Sequence, residues 1–289
     1  MSGWTQPSGA GGPSPIPHLR PHPGSVLFSR RAERLRTLAQ GHSLGDFLAF
    51  CGRLSAAQAV AAGQMTMGED GCEKPCVRPL DASAPQSHEW MQGLRTIIGE
   101  LASTSMPVPA REGLGRLASL PQEDVLEFSR RILRGDFAGL DLAAVPFAAA
   151  ALQVYFAACA VRISPSTVEP LAEPGCPLCG SPPVAGLVLG DEKLRYLVCA
   201  LCGSQWYFTR LKCSHCASTA GISYFSLEGN SDGVKAEVCE ACRRYLKLFY
   251  LEQRPAAEPV ADDLATFAID HLMCEKGYCK SGINLFLPT

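Results

Sequence analysis

Charged side chains are scarce in this chain: Asp, Glu, Lys and Arg make up 19% of its 289 residues, against about 25% in an ordinary soluble domain. The signs are also balanced. There are 26 basic and 28 acidic residues, and dividing the chain at residue 161 gives 14 of each before it, then 12 basic and 14 acidic after it. Neither half has the basic excess that would steer it to a nucleic-acid backbone or an anionic membrane. A Ser/His/Asp arrangement, a phosphate-cradling glycine loop and an H-E-x-x-H motif are missing as well, so no familiar hydrolytic or nucleotide centre is expected. Residues 1–24 hold Gly, Pro or Ser at 14 positions and lack an apolar run behind basic residues. They read as a flexible tail and not as an export signal. With 47% hydrophobic residues, the remainder suffices for two domains.

The first of these, over residues 25–165, reads as all-helical. Structure is expected from near Phe28. Ser43-Leu44-Gly45-Asp46 is a helix-start pattern, followed by Leu44, Phe47, Leu48, Cys51, Leu54 and Ala57 at helical spacing as far as Gly63. Residues 69–86 read as a loop. Trp90, Leu94, Ile97, Ile98 and Leu101 mark a second helix, and a third begins at Pro121 and ends at Gly135. Leu142 to Val161 is twenty residues long with Gln153 its only strongly polar member, but nine of the twenty are Ala and neither flank is strongly basic. That favours a central buried helix over a membrane span. Cys51 and Cys159 fall on apolar faces as core residues.

Ser164 through Pro174 breaks the pattern, and from residue 172 to 289 the apolar period shortens to that of strands: 184–189, 195–198, 206–211, 222–227 and 234–238. Asp262 and Asp263 then stand at the start of a short helix that presents Leu264, Phe267, Ala268 and Leu272. Cysteine dominates this half. Of 14 in the chain, eight form four C-x-x-C pairs within 67 residues: Cys176/Cys179, Cys199/Cys202, Cys213/Cys216 and Cys239/Cys242. Without an export signal, a reducing cytoplasm is expected, where such pairs are metal ligands and not disulfides. A tetrahedral centre takes four thiolates, two from each knuckle, so four knuckles imply two closed sites suited to zinc or iron.

Nineteen residues separate Cys179 from Cys199 and 22 separate Cys216 from Cys239. Either interval holds a hairpin, turning at Gly190–Lys193 and at Gly229–Gly233 respectively. Each hairpin returns the chain to its own starting knuckle. The first knuckle therefore pairs with the second and the third with the fourth, in tandem and not cross-braced. An extended bridge over the ten residues Gly203–Lys212 would place the metals roughly 25–35 Å apart. Gly180 and Gly203 follow second cysteines and let the backbone curl its N–H groups towards sulfur. His215 is a knuckle-tip imidazole, since four thiolates already fill the site. Cys72/Cys76 and Cys274/Cys279 have looser spacing and are incidental. The fold class is α+β: an N-terminal helical domain, then two tandem rubredoxin- or zinc-ribbon-like modules.

The run Cys176-Pro177-x-Cys179-Gly180-Ser181-x-Pro183, then Cys199-x-x-Cys202-Gly203-x-x-Trp206-x-Phe208-x-Arg210-x-Lys212-Cys213-x-x-Cys216, resembles the formate dehydrogenase accessory protein family, FdhE. So do Glu237-x-Cys239-x-x-Cys242-x-x-Tyr245-x-Lys247, Asp262-Asp263-Leu264-Ala265-Thr266 and Gly282-x-Asn284. The resemblance covers residues 172–289; the Pro/Gly-rich start and Cys274 and Cys279 depart from it. It implies a cytoplasmic bacterial protein that is not itself an enzyme, that carries rubredoxin-like iron, and that binds the catalytic subunit of a molybdenum or tungsten formate dehydrogenase during maturation. The residues alone leave two other functions open. One is a zinc-ribbon nucleic-acid binder, disfavoured by the charge balance, and the other is a rubredoxin-like electron carrier. Trp206, Tyr207 and Arg210 are candidates for a partner surface, with burial of Trp206 between the ribbons the favoured alternative for that residue.

Overall fold

Apolar residues recurring every three to four positions give the first half its helices. The computed structural model describes residues 17–67, 80, 88–169, 174–226 and 233–287. The helices are α1 (Gly24–Leu38), α2 (Gly45–Gln64), α3 (His88–Ala102), α4 (Val108–Ser119), α5 (Gln122–Arg134) and α6 (Val145–Ala160). Alanines keep α6 slim enough for α2 and α3 to pack closely on it, and it is buried along nearly its whole length. Among the described residues no helix is long and apolar enough to cross a membrane. Cys51 lies fully buried on α2.

Some boundaries differ from the sequence expectation. Part of the stretch read as a tail is built into the fold: Leu19–Arg20 form a strand, β1, and α1 starts at Gly24. Leu44, not Ser43, is the N-cap of α2, and its N–H is satisfied by His42 Nδ1 at 3.0 Å. Pro121 caps α5 from just outside the helix, and Gly135 closes it at φ 70°.

The second half is a single sheet, which the tandem reading did not anticipate. Its other strands are β2 (Pro183–Leu189), β3 (Leu194–Cys199), β4 (Gln205–Tyr207), β5 (Ile222–Phe225), β6 (Val234–Cys239), β7 (Arg244–Tyr250) and β8 (Cys279–Lys280). Their order is β1-β4-β3-β2-β7-β6-β5, with β8 also on β7. Both expected hairpins are present, β2 with β3 and β5 with β6, and β7 extends the second one. The two units then join edge to edge through parallel pairing of β2 with β7, Gly186 opposite Leu248. A Cβ on Gly186 would stand 2.5 Å from Leu248 Cδ2, so a side chain there would push the units apart. β7 gave no alternating signal because it is central and covered on both faces.

The strand expected over 206–211 stops at Tyr207 because the following residues fold around Arg195. This guanidinium, fully buried on β3, donates to the carbonyls of Phe208 (3.3 Å), Thr209 and Lys212 (2.7 Å), and pairs with Glu237 of β6. Tyr224 donates to the other Glu237 oxygen at 3.1 Å. The extended bridge between the second and third knuckles is therefore replaced by a turn, and the separation of centres inferred from it loses its premise.

Asp262 stands in the first turn of its helix, α7 (Pro259–Ala265), as expected, and accepts the N–H of the N-cap Glu258 at 2.8 Å, with Asp263 directly after it. A further helix, α8 (Phe267–Glu275), follows, and both aspartates are buried. Asp262 receives Arg34 of α1 in a two-pronged pair at 2.9 and 2.7 Å and also Arg254 at 2.6 Å. Arg31 of α1 donates to Glu258 at 3.0 Å. Gln153, the lone polar residue of α6, completes this seam. Its Nε2 donates to the Ala200 carbonyl at 2.7 Å, while its Oε1 accepts from Gln58 at 2.9 Å and from Arg31 at 3.4 Å.

Gln153→Leu strips these partners while preserving approximate volume. We expect a loss of about 2 kcal/mol or more, because a buried carbonyl and two donors lose their partner. Urea unfolding at unchanged metal content measures it, and wild-type stability would show that the seam contributes little.

Candidate metal centres

Each knuckle is a tight turn closed by its own backbone. Gly180 N–H donates to the Cys176 carbonyl at 2.8 Å, Ala217 N–H to Cys213 at 3.1 Å and Arg243 N–H to Cys239 at 2.9 Å, while the second knuckle is closed by the Cys199 N–H donating to the Ser204 carbonyl at 2.9 Å. The turn demands a left-handed residue after each second cysteine. Gly180 and Gly203 supply it at φ 78° and 70°, whereas Ala217 and Arg243 adopt 61° and 55° despite their side chains. The turns aim N–H groups at sulfur: Leu201 and Cys202 donate to Cys199 Sγ at 3.3 and 3.4 Å, and His215 and Cys216 to Cys213 Sγ at 3.3 and 3.5 Å.

The structure brings the eight knuckle cysteines together as two groups. Cys176, Cys179, Cys199 and Cys202 form one, Cys213, Cys216, Cys239 and Cys242 the other, with the sulfurs of each group within 4.8 Å of one another. Cys176 to Cys202 is 3.6 Å and Cys179 to Cys199 3.4 Å; Cys213 to Cys242 and Cys216 to Cys239 are both 3.7 Å. Tetrahedral thiolates at a zinc–sulfur distance of ~2.3 Å lie about 3.8 Å apart, so both groups fit a metal ion. Four thiols this close cannot all ionise without a cation between them. In the bare protein, hydrogen bonds from Cys176, Cys199 and Cys202 draw the Cys179 thiol well down, while burial pushes Cys176 and Cys199 up. In the second group the Ser218 backbone N–H lowers Cys216, while burial pushes Cys242 up to about 12.

The surroundings differ. The first group is buried throughout; in the second, Cys216 is exposed and Cys242 half-buried. His215 is exposed at the third knuckle tip. Cys274 and Cys279 are exposed and line a cavity of about 440 Å³ beside α8, apart from either group. Cys72, Cys76 and the Gly229–Asp232 part of the second turn lie outside the described residues. Trp206 is buried, at register with Leu19 and Leu197, which leaves Tyr207 and Arg210 exposed.

The supporting side chains were largely missed in the sequence. Lys247, buried on β7, donates to Asp270 at 2.5 Å and pairs with Asp263 at 3.1 Å. Lys280 grips both Asp263 oxygens at 2.6 and 2.7 Å, and Asn284 donates to Asp263 at 2.9 Å. Most of these positions sit in the motifs quoted above without an assigned role. A signal was available for Gln153, the one polar residue in an apolar run, but not for Arg195, which lay in an expected strand with nothing to mark its burial, or for Lys247, which lay in no expected strand.

A helical domain seamed to a sheet that carries two groups of four cysteines, each of which could hold a metal ion, defines a class with two candidate metal centres. Family models described as FdhE N-terminal, central and C-terminal domains match residues 16–173, 175–210 and 211–287. The chain belongs to the FdhE family. It is 38% identical over 275 residues to the FdhE homolog of Enterobacter sp. (strain 638) and 36% identical over 275 residues to FdhE of Escherichia coli O1:K1, in each case covering 90% of this chain and 88% of the relative. The crystal structure of FdhE from Pseudomonas aeruginosa is similar at a TM-score of 0.85 and 33% identity, covering 94% of this chain and 99% of that one. The central and C-terminal models meet between Cys202 and Cys213, so each spans one cysteine group.

Two experiments test this architecture. Cys176→Ser and Cys199→Ser should each reduce the metal content from two ions per chain to one and lose the same ion, with Cys213→Ser losing the other; elemental analysis of single and paired variants reads this, and two retained ions in C176S would refute the grouping. The second concerns Asp263. Burial pushes its carboxyl up, but Lys247 and Lys280, with hydrogen bonds from Lys280 and Asn284, more than offset this and hold it below the ordinary value of 3.8. Its contribution is thus present above that value and lost as pH falls through the lower folded one. Asp263→Ala should cost about 3–5 kcal/mol at neutral pH by leaving the ammonium groups of Lys247 and Lys280 to share the single carboxylate of Asp270. The stability gap between wild type and D263N, followed by denaturant unfolding, should narrow only below pH 3.8.

Proposed function

We propose that this chain is a cytoplasmic accessory factor for formate dehydrogenase, one that binds the immature catalytic subunit and is not itself an enzyme. Membership of the FdhE family across nearly the whole chain carries this reading and supports the accessory role. The cysteine groups, each four thiols closing on one point, suit ions with no open position for substrate. Cys176, Cys179, Cys199 and Cys202 would hold one ion and Cys213, Cys216, Cys239 and Cys242 the other, iron or zinc in each case. Such an ion supplies a cross-link between knuckles and, if it is iron, a one-electron couple.

The chain's own residues do the rest. Gln153 holds the helical domain against the knuckle of Cys199 and Cys202, Arg31 and Arg34 hold it against the start of α7, and Arg195 holds the bridge to the second cysteine group. A rigid body of this kind presents surface, and Tyr207 and Arg210 lie exposed on that bridge for a partner. Nucleic acid is not the partner in this reading: two divalent ions bound by eight thiolates move the formal charge from −2 to −6, which repels phosphate.

Deleting the gene in the parent bacterium should lower formate-dependent dye reduction while leaving the formate dehydrogenase transcript intact. The purified chain should also capture the immature catalytic subunit. Normal dye reduction in a strain with no second copy would sink the proposal.

A further inference from the structure

The two cysteine groups share chemistry but not protection. Around the first, Cys176, Cys179, Cys199 and Cys202 have between 0 and 4% exposure. The helical domain lies directly against these knuckles. Gln153 of α6 holds the Ala200 carbonyl, and a Cβ at Gly203 would stand 2.4 Å from Leu27 Cδ2 of α1. The N–H of Leu80 donates to the Leu178 carbonyl at 2.9 Å. Opening the knuckle of Cys199 and Cys202 therefore requires the helical domain to lift off, and opening that of Cys176 and Cys179 breaks the Leu80 bond.

The second group has its third knuckle at the surface, with Cys216 and His215 exposed and Cys242 half-buried. Its backbone is also less at ease. Ala217 and Arg243 hold the left-handed conformation that Gly180 and Gly203 supply in the first group without steric cost. A bound ion keeps those turns closed, and once one sulfur detaches, relaxation of the turn opposes its return.

We propose that the two centres differ in kind: the first is a permanent structural element, and the second is an exchange site whose ion passes to external ligands by detachment of Cys216. This rests on the reading above that both groups hold metal. The step is ligand substitution, in which an incoming donor forms a bond to the ion as the Cys216 thiolate leaves, with no change of oxidation state. Solvent access decides where substitution begins, because local opening of an exposed turn is far less costly than separating two packed domains.

The test uses the full chain loaded with zinc, with elemental analysis first establishing two ions per chain. A chromophoric chelator is then added under reducing, oxygen-free conditions. One ion per chain should leave about ten-fold or more faster than the other, with the far-ultraviolet circular dichroism nearly unchanged after the first phase. Alkylation followed by peptide mass spectrometry should label Cys213, Cys216, Cys239 and Cys242 in that phase, and the other four only in the second. Ala217→Gly keeps every ligand and should slow the fast phase; an unchanged or faster release would overturn the role given to the backbone. Release of both ions in one phase, or earlier labelling of Cys176, Cys179, Cys199 and Cys202, overturns the proposal and leaves the two-site reading standing. Fewer than two ions at the start overturns both.

Discussion

The structure depends most on one buried amide. Gln153 sits in the middle of α6, a helix otherwise made of small and apolar side chains, and its Nε2 reaches the Ala200 carbonyl between Cys199 and Cys202. A polar group at that depth is tolerable only if its donors and acceptors are used, and Gln58, Arg31 and Ala200 use them. The requirement runs in both directions. The helical domain needs the knuckle to satisfy its core amide, and the knuckle needs the amide to satisfy a carbonyl that faces no strand. Arg31 extends the arrangement to Glu258, and Arg34 with Arg254 extends it to Asp262. Buried ion pairs of this sort add less to stability than to fixing one orientation, since any other arrangement strands a charge.

A second set of buried charges does the same within the sheet. Arg195 belongs to the first ribbon and Glu237 to the second, and the guanidinium also collects three carbonyls of the turn between them. Together with the parallel β2–β7 pairing this makes the two ribbons one body, so the positions of the two cysteine groups relative to each other are set by the fold and not by a loose tether. Lys247, Asp263, Asp270 and Lys280 then bind the C-terminal helices to β7. Charge is scarce in this chain, and a good share of it is spent inside.

Several features were legible in advance because they are local. Four C-x-x-C pairs with hairpin-length intervals specify tight turns and antiparallel returns, and those fix which knuckles meet. Periodicity marked α2, α3, α5 and α6, and alanine content distinguished a buried helix from a membrane span. The starts of β2 to β6 were read to within a residue, whereas β1 and β8, two residues each, gave no signal. Where local signals conflicted with burial they failed: β7 looked like nothing in particular because both of its faces are covered, and the 206–211 strand was overcalled because its residues favour extension while Arg195 bends them.

The sequence by itself determined the α+β class and the grouping of eight cysteines, since each follows from spacing along the chain. Tertiary structure alone decided that the ribbons fuse into one sheet, that Asp262 and Asp263 are interior counter-ions, and that one cysteine group is covered while the other meets solvent. The physical reason is the same in each case. Spacing governs what neighbours in sequence can do, whereas the partner of a buried charge and the exposure of a thiol depend on residues far away in the chain, 227 positions for Arg31 with Glu258, and on packing such as that of Leu27 against Gly203.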